Sequence, residues 1–377
     1  MRHLIDITDL SVEELDAVMD RADDIIAHPE QYAHACDGKK IAALFFEPST
    51  RTRLSFEAAM SELGGKVLSV TGASSSSQAK GESVSDTIIM ASCYVDIIAM
   101  RHPKEGAAFV AAGKAGVPFI NAGDGGHLHP TQTLADLLTI RRECGRLTGL
   151  TVGMCGDLKY GRTVHSLTHA MQRYPGTRFV FISPEELKIP AYVTEELEEK
   201  GIPYEVTTSL SDALPSLDIL YMTRVQRERF DDPEVYERLK DSYILNAAML
   251  ENAKDSLRIL HPQPRVNEIS TDVDGDIRAC YFKEALYGKY MRMALILFLL
   301  EQAGENGDHL KRLERIRTES VKPEGIRGEV CENPRCISGT EQELPPLYRP
   351  TGKTDAEGRT ICRCIYCETE KAIRLNV

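Results

Sequence analysis

Short apolar runs, each ending in a polar loop that opens a helix, recur through the first three hundred residues of this chain. That alternation restricts it to a parallel α/β architecture, because each strand is followed by a helical crossover back to the sheet. Lys40–Phe46, Lys66–Val70, Tyr94–Met100 and Val117–Asn121 read as strands of a first half. Thr151–Cys155, Arg178–Ile182, Tyr204–Thr207, Ile219–Met222 and Tyr243–Leu245 read as strands of a second. Helices are expected at Val84–Cys93, Glu105–Gly113, Leu134–Glu143 and Tyr281–Glu301, and the capping box Ser11-Val12-Glu13-Glu14 opens another through about Ile26. The expected fold is α/β: two doubly wound parallel-sheet domains plus a small C-terminal zinc ribbon. The first domain spans residues 1–149, with part of the final helix 281–304 packing back. The second spans 150–304, a linker 305–329, and the ribbon 330–377.

In doubly wound sheets, loops beyond the strand ends share one edge, where ligands sit. The most pointed is Phe46-Glu47-Pro48-Ser49-Thr50-Arg51-Thr52-Arg53, a strand end leading into a helix start. A first helical turn offers unpaired N–H groups and a positive dipole end, and arginine matches phosphate with a two-pronged fork. Taken alone, the motif fits Ser49 or Thr50 as an N-cap beside surface arginines equally well. Polar strand ends recur, however, at Arg101-His102-Pro103, His129-Pro130-Thr131-Gln132, Arg224-Val225-Gln226 and His261-Pro262-Gln263-Pro264-Arg265. The three in the first half share one edge and are hard to explain by packing, and the second half follows the same rule. The serine-rich stretch 71–82 has a flexible linker as its default reading, but linkers rarely sit inside a strand–helix alternation, and a lid that carries Lys80 to an anion is the alternative. Gly153-x-x-Gly156-x-x-x-x-Gly161 is not the dinucleotide fingerprint, so a nicotinamide site is rejected.

The net charge of −12 argues against nucleic acid as a partner, and the longest apolar run, Met293–Leu300, is too short to cross a membrane. The N-terminus lacks the apolar core of a signal peptide, so the chain is expected to be cytoplasmic. Its ten cysteines are then thiols or metal ligands. Cys331-x4-Cys336 and Cys364-x2-Cys367 are the paired thiolates a structural Zn²⁺ needs, with Cys362 as a fifth candidate. Four thiolates leave the metal no open position, so it is structural, and it must supply folding energy to so small a module.

Together, Phe46–Arg53, Met100-Arg101-His102-Pro103, His129–Thr133, Gly161-Arg162-Thr163, Arg224-Val225-Gln226 and His261–Arg265 resemble the motifs of aspartate carbamoyltransferase catalytic chains, in the same order, as far as about Gly304. The tail from Val330 is similar to the zinc domain of the separate regulatory chain of the bacterial enzyme, here fused to a catalytic chain. The resemblance implies transfer of the carbamoyl group from carbamoyl phosphate to L-aspartate, in pyrimidine biosynthesis, with no catalytic cofactor. Ser49, Thr50, Arg51 and Thr52 would cradle the phosphate with Arg101. Thr52, Arg101 and His129 would donate to the developing oxyanion, while Gln132 and the carbonyls of Gln263 and Pro264 would hold the carbamoyl NH₂. Arg162, Arg224 and Gln226 would bind the two aspartate carboxylates. Ser76 and Lys80 would reach in from a neighbouring subunit, making a homotrimer, or a multiple of it, the active form. Glu47, Arg162, Glu228 and Arg229 would form ion pairs on domain closure.

The chain departs from the family pattern at Gln263, usually leucine, at Ala79, usually lysine, and at the extra Cys362. It also has no room in 305–329 for a nucleotide-binding regulatory half, so control by CTP or ATP through that half is not expected. Two alternatives remain: another carbamoyltransferase of the ornithine type, and an inactive scaffold acting through the zinc ribbon.

Overall fold

Ser11 and Glu14 form the capping box: Glu14 N–H donates to Ser11 Oγ at 3.2 Å, and Ser11 N–H to Glu14 Oε2 at 2.9 Å. The helix they open is Val12–Ala27. The computed structural model describes residues 1–72, 77–225, 232–303, 313–314, 316, 324–341 and 343–374. The chain divides into two compact units, one of residues 1–9, 21–130 and 292–377, the other of residues 10–20 and 131–291.

The first unit holds a four-stranded parallel sheet in the order β2-β1-β3-β4: β1 (Lys40–Phe45), β2 (Lys66–Thr71), β3 (Ile97–His102) and β4 (Phe119–Asp124). Leu4 extends it by a parallel bridge to Ile120. Two strands begin later than the apolar runs suggest. Tyr94 lies in the turn after the helix Val84–Ser92, and Asp96 exchanges bonds with Lys40 at the start of β1, so pairing begins at Ile97. Pro118 offers no N–H, and β4 starts one residue beyond it. Of the next helices, one also starts later, at Ala107–Lys114, whereas the other starts earlier than expected, at Pro130–Cys144, with proline at its first position, where the missing N–H does no harm.

The second unit holds a five-stranded parallel sheet in the order β7-β6-β5-β8-β9: β5 (Thr151–Cys155), β6 (Arg178–Ile182), β7 (Tyr204–Thr207), β8 (Ile219–Met222) and β9 (Arg258–Leu260). Tyr243–Leu245 is not a strand. Leu245 makes a single bridge with Ile269, and the edge beside β8 is taken by β9.

The tail folds as an antiparallel sheet, β10 (Ile326–Arg327), β11 (Leu347–Thr354), β12 (Thr360–Cys364) and β13 (Glu370–Ile373). It packs on the first unit's own body. Ile337, Tyr348 and Tyr366 share one buried core with Phe46, Val84, Ile88 and Val110. Glu105 donates its N–H to Arg335 O and accepts from Ile337 N–H, both at 2.9 Å, and its carboxylate takes Asn333 Nδ2 at 2.6 Å. Gly106, at φ +85°, lies so close that a Cβ would sit 2.5 Å from Tyr366 O. No helix among the described residues is long and apolar enough to cross a membrane.

Candidate functional site

In the first sheet the chain leaves β1 for β2 on one side and β3 on the other, so the switch point lies between β1 and β3. Phe46 N–H donates to Arg101 O at 2.9 Å, tying the two strand ends together there. Ser49 is the extended N-cap of the helix Thr50–Glu62, yet its side chain makes no cap bond. The first-turn N–H groups are therefore not claimed by their own cap. Thr50 and Arg51 are exposed, Ser49 half-buried and Thr52 buried. The helix is anchored by Arg292, whose guanidinium reaches Ser55 Oγ at 3.1 Å and lies 5.3 Å over the Phe56 ring.

Arg101, at the end of β3, places Nε 3.0 Å from Glu47 Oε2 and Nη1 3.3 Å from His129 Nε2. Arginine only donates, so His129 Nε2 accepts and its proton sits on Nδ1. Gly123, at φ +121°, makes room for this pair, since a Cβ there would stand 3.1 Å from Arg101 Nη1. Glu47, expected to pair on domain closure, is engaged with Arg101 inside its own unit. Lys80 is exposed at the end of the short turn Ser77–Lys80, and Ser76 lies outside the described residues.

Beneath this loop cluster Asp124 acts as a hub. Its carboxylate accepts from Gly106 N at 2.9 Å and from Leu128 N and Asn121 Nδ2 at 3.1 Å. His127 bridges it to the tail, 3.2 Å from Asp124 and 3.4 Å from Glu368. Burial pulls the His127 imidazole down, but the two carboxylates outweigh it and hold the ring well above its ordinary value.

In the second sheet the switch point falls between β5 and β8. Gly156 needs its φ of +119° there, because a Cβ would meet Thr223 O at 2.2 Å. Asp157 N–H donates to Thr223 Oγ1 at 3.1 Å, stitching the two loops together. Arg162 opens the helix Arg162–Met171, and Arg224 lies just beyond β8; both are half-buried. Gln226, Glu228 and Arg229 lie outside the described residues. Gln263 adopts φ +51°, and its Oε1 accepts from Arg265 N–H at 3.1 Å, so the unusual side chain supports the turn that presents its own carbonyl and that of exposed Pro264. His261 fixes the same turn, accepting Gln263 N–H on Nδ1 at 2.8 Å and meeting Glu268 through Nε2 at 2.6 Å. Gln132 donates its amide nitrogen to Asp136 and Glu284.

Cys331, Cys336, Cys364 and Cys367 place their Sγ atoms within 4.8 Å of one another, all buried. The sulfur pairs Cys331–Cys367 and Cys336–Cys364 are 3.6 and 3.8 Å apart. A tetrahedral Zn²⁺ with bonds of ~2.3 Å needs sulfur–sulfur edges of about 3.8 Å, so this donor set fits one. Glu368 turns the second hairpin at φ +60°, donating its N–H to Cys364 O at 2.9 Å. Cys362 is buried on β12 and is not part of the cluster.

Sequence reasoning missed Asp124, Asp136 and Glu284. The i,i+4 spacing of Gln132 and Asp136 on one helix was the available signal for Asp136. Glu284 comes from 152 residues away and carried none.

Two family models match the chain: "Aspartate/ornithine carbamoyltransferase, carbamoyl-P binding domain" over residues 2–142 and "Aspartate/ornithine carbamoyltransferase, Asp/Orn binding domain" over 148–299. An aspartate carbamoyltransferase catalytic subunit from Lachnoclostridium phytofermentans is 62% identical over 301 residues, 80% of this chain and 98% of that one. Its counterpart from Clostridium kluyveri is 58% identical over 299 residues, 79% and 98% of the two chains. Among solved structures, the catalytic subunit of M. jannaschii aspartate transcarbamoylase superposes with a TM-score of 0.76 at 46% identity, covering 82% of this chain and all of that one. Aspartate transcarbamoylase from Trypanosoma cruzi, in complex with carbamoyl phosphate and aspartate, superposes at 0.74 with 36% identity, covering 78% and 96%. Through both of its matched domains, this chain belongs to the aspartate/ornithine carbamoyltransferase family.

Proposed function

We propose that the chain is an aspartate carbamoyltransferase, joining carbamoyl phosphate and L-aspartate into N-carbamoyl-L-aspartate and phosphate. The observation that carries this reading is the Arg101–His129 pair at the switch point of the first sheet, beside a helix start whose cap leaves its N–H groups to a ligand. The phosphate is held by Ser49, Thr50, Arg51 and Thr52, with Arg101 adding charge. When the aspartate amine attacks the carbonyl carbon, the oxygen gains charge, and donors preorganised on it lower the barrier. Arg101, Thr52 and His129, through its Nδ1–H, supply those donors. The departing phosphate takes the amine proton, so neither a covalent intermediate nor a catalytic cofactor is needed, and holding two reactants in place supplies much of the rate.

In the second unit Arg162, Arg224 and Gln226 bind the aspartate carboxylates, and Gln132 with the Gln263 and Pro264 carbonyls holds the carbamoyl NH₂. Lys80 and Ser76 serve a neighbouring copy in a homotrimer or a multiple of it. Residues 1–149 form the carbamoyl-phosphate domain and 150–304 the aspartate domain, in a cytoplasmic enzyme. The tail, residues 330–377, is a zinc domain of the regulatory-chain kind, its ion held structurally by Cys331, Cys336, Cys364 and Cys367. Assays of aspartate against ornithine, with carbamoyl phosphate fixed, test the reading. Turnover with aspartate is expected, and turnover with ornithine alone would overturn it.

A further inference from the structure

Two carboxyl groups meet in the interior of the second unit. Asp136 is fully buried and Glu284 is 1% exposed. The Gln132 amide nitrogen lies 2.8 Å from Asp136 Oδ1 and 2.7 Å from Glu284 Oε1, so both of its N–H bonds are taken up by carboxyl oxygens. Turned over, the amide would give up both of these bonds and set its oxygen against two carboxyl oxygens. Its Oε1 has no hydrogen-bond partner among the described residues, and the residue is only half-buried. The remaining oxygen of Glu284 accepts His261 N–H at 2.9 Å, the first residue of the turn that carries the Gln263 and Pro264 carbonyls. One buried carboxyl thus fixes both a side-chain acceptor and the start of a backbone acceptor turn.

We propose that Asp136 and Glu284 are specificity-determining positioning residues: they lock Gln132 with its oxygen outward, so that the site recognises an acyl phosphate by its amino group. An N–H donor on the ligand meets an acceptor that cannot rotate away. A methyl group in its place leaves that acceptor without a partner, which is how a site built for a hydrogen bond rejects the analogue lacking it. Burial, and then the charge of Asp136, raise the Glu284 carboxyl well above its ordinary range. Keeping two acids side by side in the interior is costly. A plain structural contact would be served as well by apolar side chains.

The inference rests on the reading that Gln132 contacts the carbamoyl NH₂, so the experiment separates the two. The variants are Glu284→Gln and Asp136→Asn, near-isosteric changes whose amides can donate as well as accept and so release the lock, with Gln132→Ala as reference. For each, the carbamoyl phosphate KM is measured at fixed aspartate, with inhibition constants for acetyl phosphate and inorganic phosphate as competitors. Gln132→Ala and both carboxyl variants are expected to raise the carbamoyl phosphate KM ~10-fold while leaving the two inhibition constants within about twofold, which compresses discrimination against the methyl analogue ~10-fold. If Gln132→Ala compresses discrimination and the carboxyl variants do not, the positioning role is overturned. If Gln132→Ala itself leaves discrimination intact, the reading of Gln132 fails and the inference with it. A parallel rise for inorganic phosphate would show general damage and also overturn the proposal. Should a single variant melt below assay temperature, the uncharged double variant replaces it, with the same outcomes deciding.

Discussion

Arg224 lies just beyond β8 at the switch point of the second sheet and is the clearest residue by which to separate the two substrates. Arg224→Ala should raise the aspartate KM by about two orders of magnitude while carbamoyl phosphate binding holds, since a charged hydrogen bond to carboxylate is worth ~3 kcal/mol. Steady-state kinetics with each substrate varied checks this, and a selective loss of carbamoyl phosphate affinity would contradict it. His102 gives a second handle. It is buried beside Phe46, accepts Lys104 N–H on Nδ1, and burial lowers its pKa from 6.5 to about 4, against an opposing pull from Asp124. A folded-state pKa below the unfolded one means the fold favours neutral imidazole. That contribution is complete above pH ~6.5 and is lost as pH falls towards 4, to an extent on the order of 3 kcal/mol. In His102→Asn, whose carbonyl can still accept Lys104 N–H, melting temperature should fall less steeply between pH 6.5 and 4 than in the parent. The motif residues themselves were legible in the sequence because their chemistry is local: a helix start, a strand end, a pair of arginines. What sets their orientation was not. Asp124 gathers three N–H donors, and Glu284 reaches Gln132 across 152 positions; neither leaves a pattern in one sequence.

At the level of elements, strands of the second unit were the easiest part to read. Arg178–Ile182, Tyr204–Thr207 and Ile219–Met222 are bounded by turn residues, and their limits fall where composition changes. The misplaced elements share a cause. Tyr94–Asp96 and Tyr243–Leu245 contain apolar residues that serve turns, and whether an apolar run pairs depends on which neighbour takes the sheet edge. Beside β8 that neighbour is β9. In the tail, spacing alone marked the four cysteines that the fold gathers, as expected where a tetrahedral ion imposes its geometry on the hairpins that bind it. Removing the metal should therefore unfold that element first. With a strong chelator, one Zn²⁺ per chain should be released, the melting transition of the tail should disappear, and residues near Ile337 and Tyr366 should become open to protease. An unchanged melting profile in the zinc-free protein would contradict a structural role.

For the molecule as a whole, the tail covers apolar residues of its own first unit, among them Val84, Ile88 and Val110. Truncation of residues 328–377 should expose them, lower the melting temperature by several degrees and change the oligomer size seen by light scattering. Unchanged size would argue against a role for the tail in assembly. Sharing of sites between copies has its own test: inactive Lys80→Ala and Arg51→Ala chains, mixed and reassembled, should recover part of the parent activity. Well-folded mixed oligomers that stay inactive would exclude a donated Lys80. The contact between Glu105 and the Arg335–Ile337 stretch is made within one polypeptide. A docking module supplied on a second chain is lost whenever its concentration drops below the dissociation constant. One carried in cis meets its surface at an effective concentration on the order of millimolar, however dilute the protein becomes. The Glu105 face thus receives its ribbon in fixed one-to-one proportion at translation, and its occupancy is insulated from imbalance in gene expression.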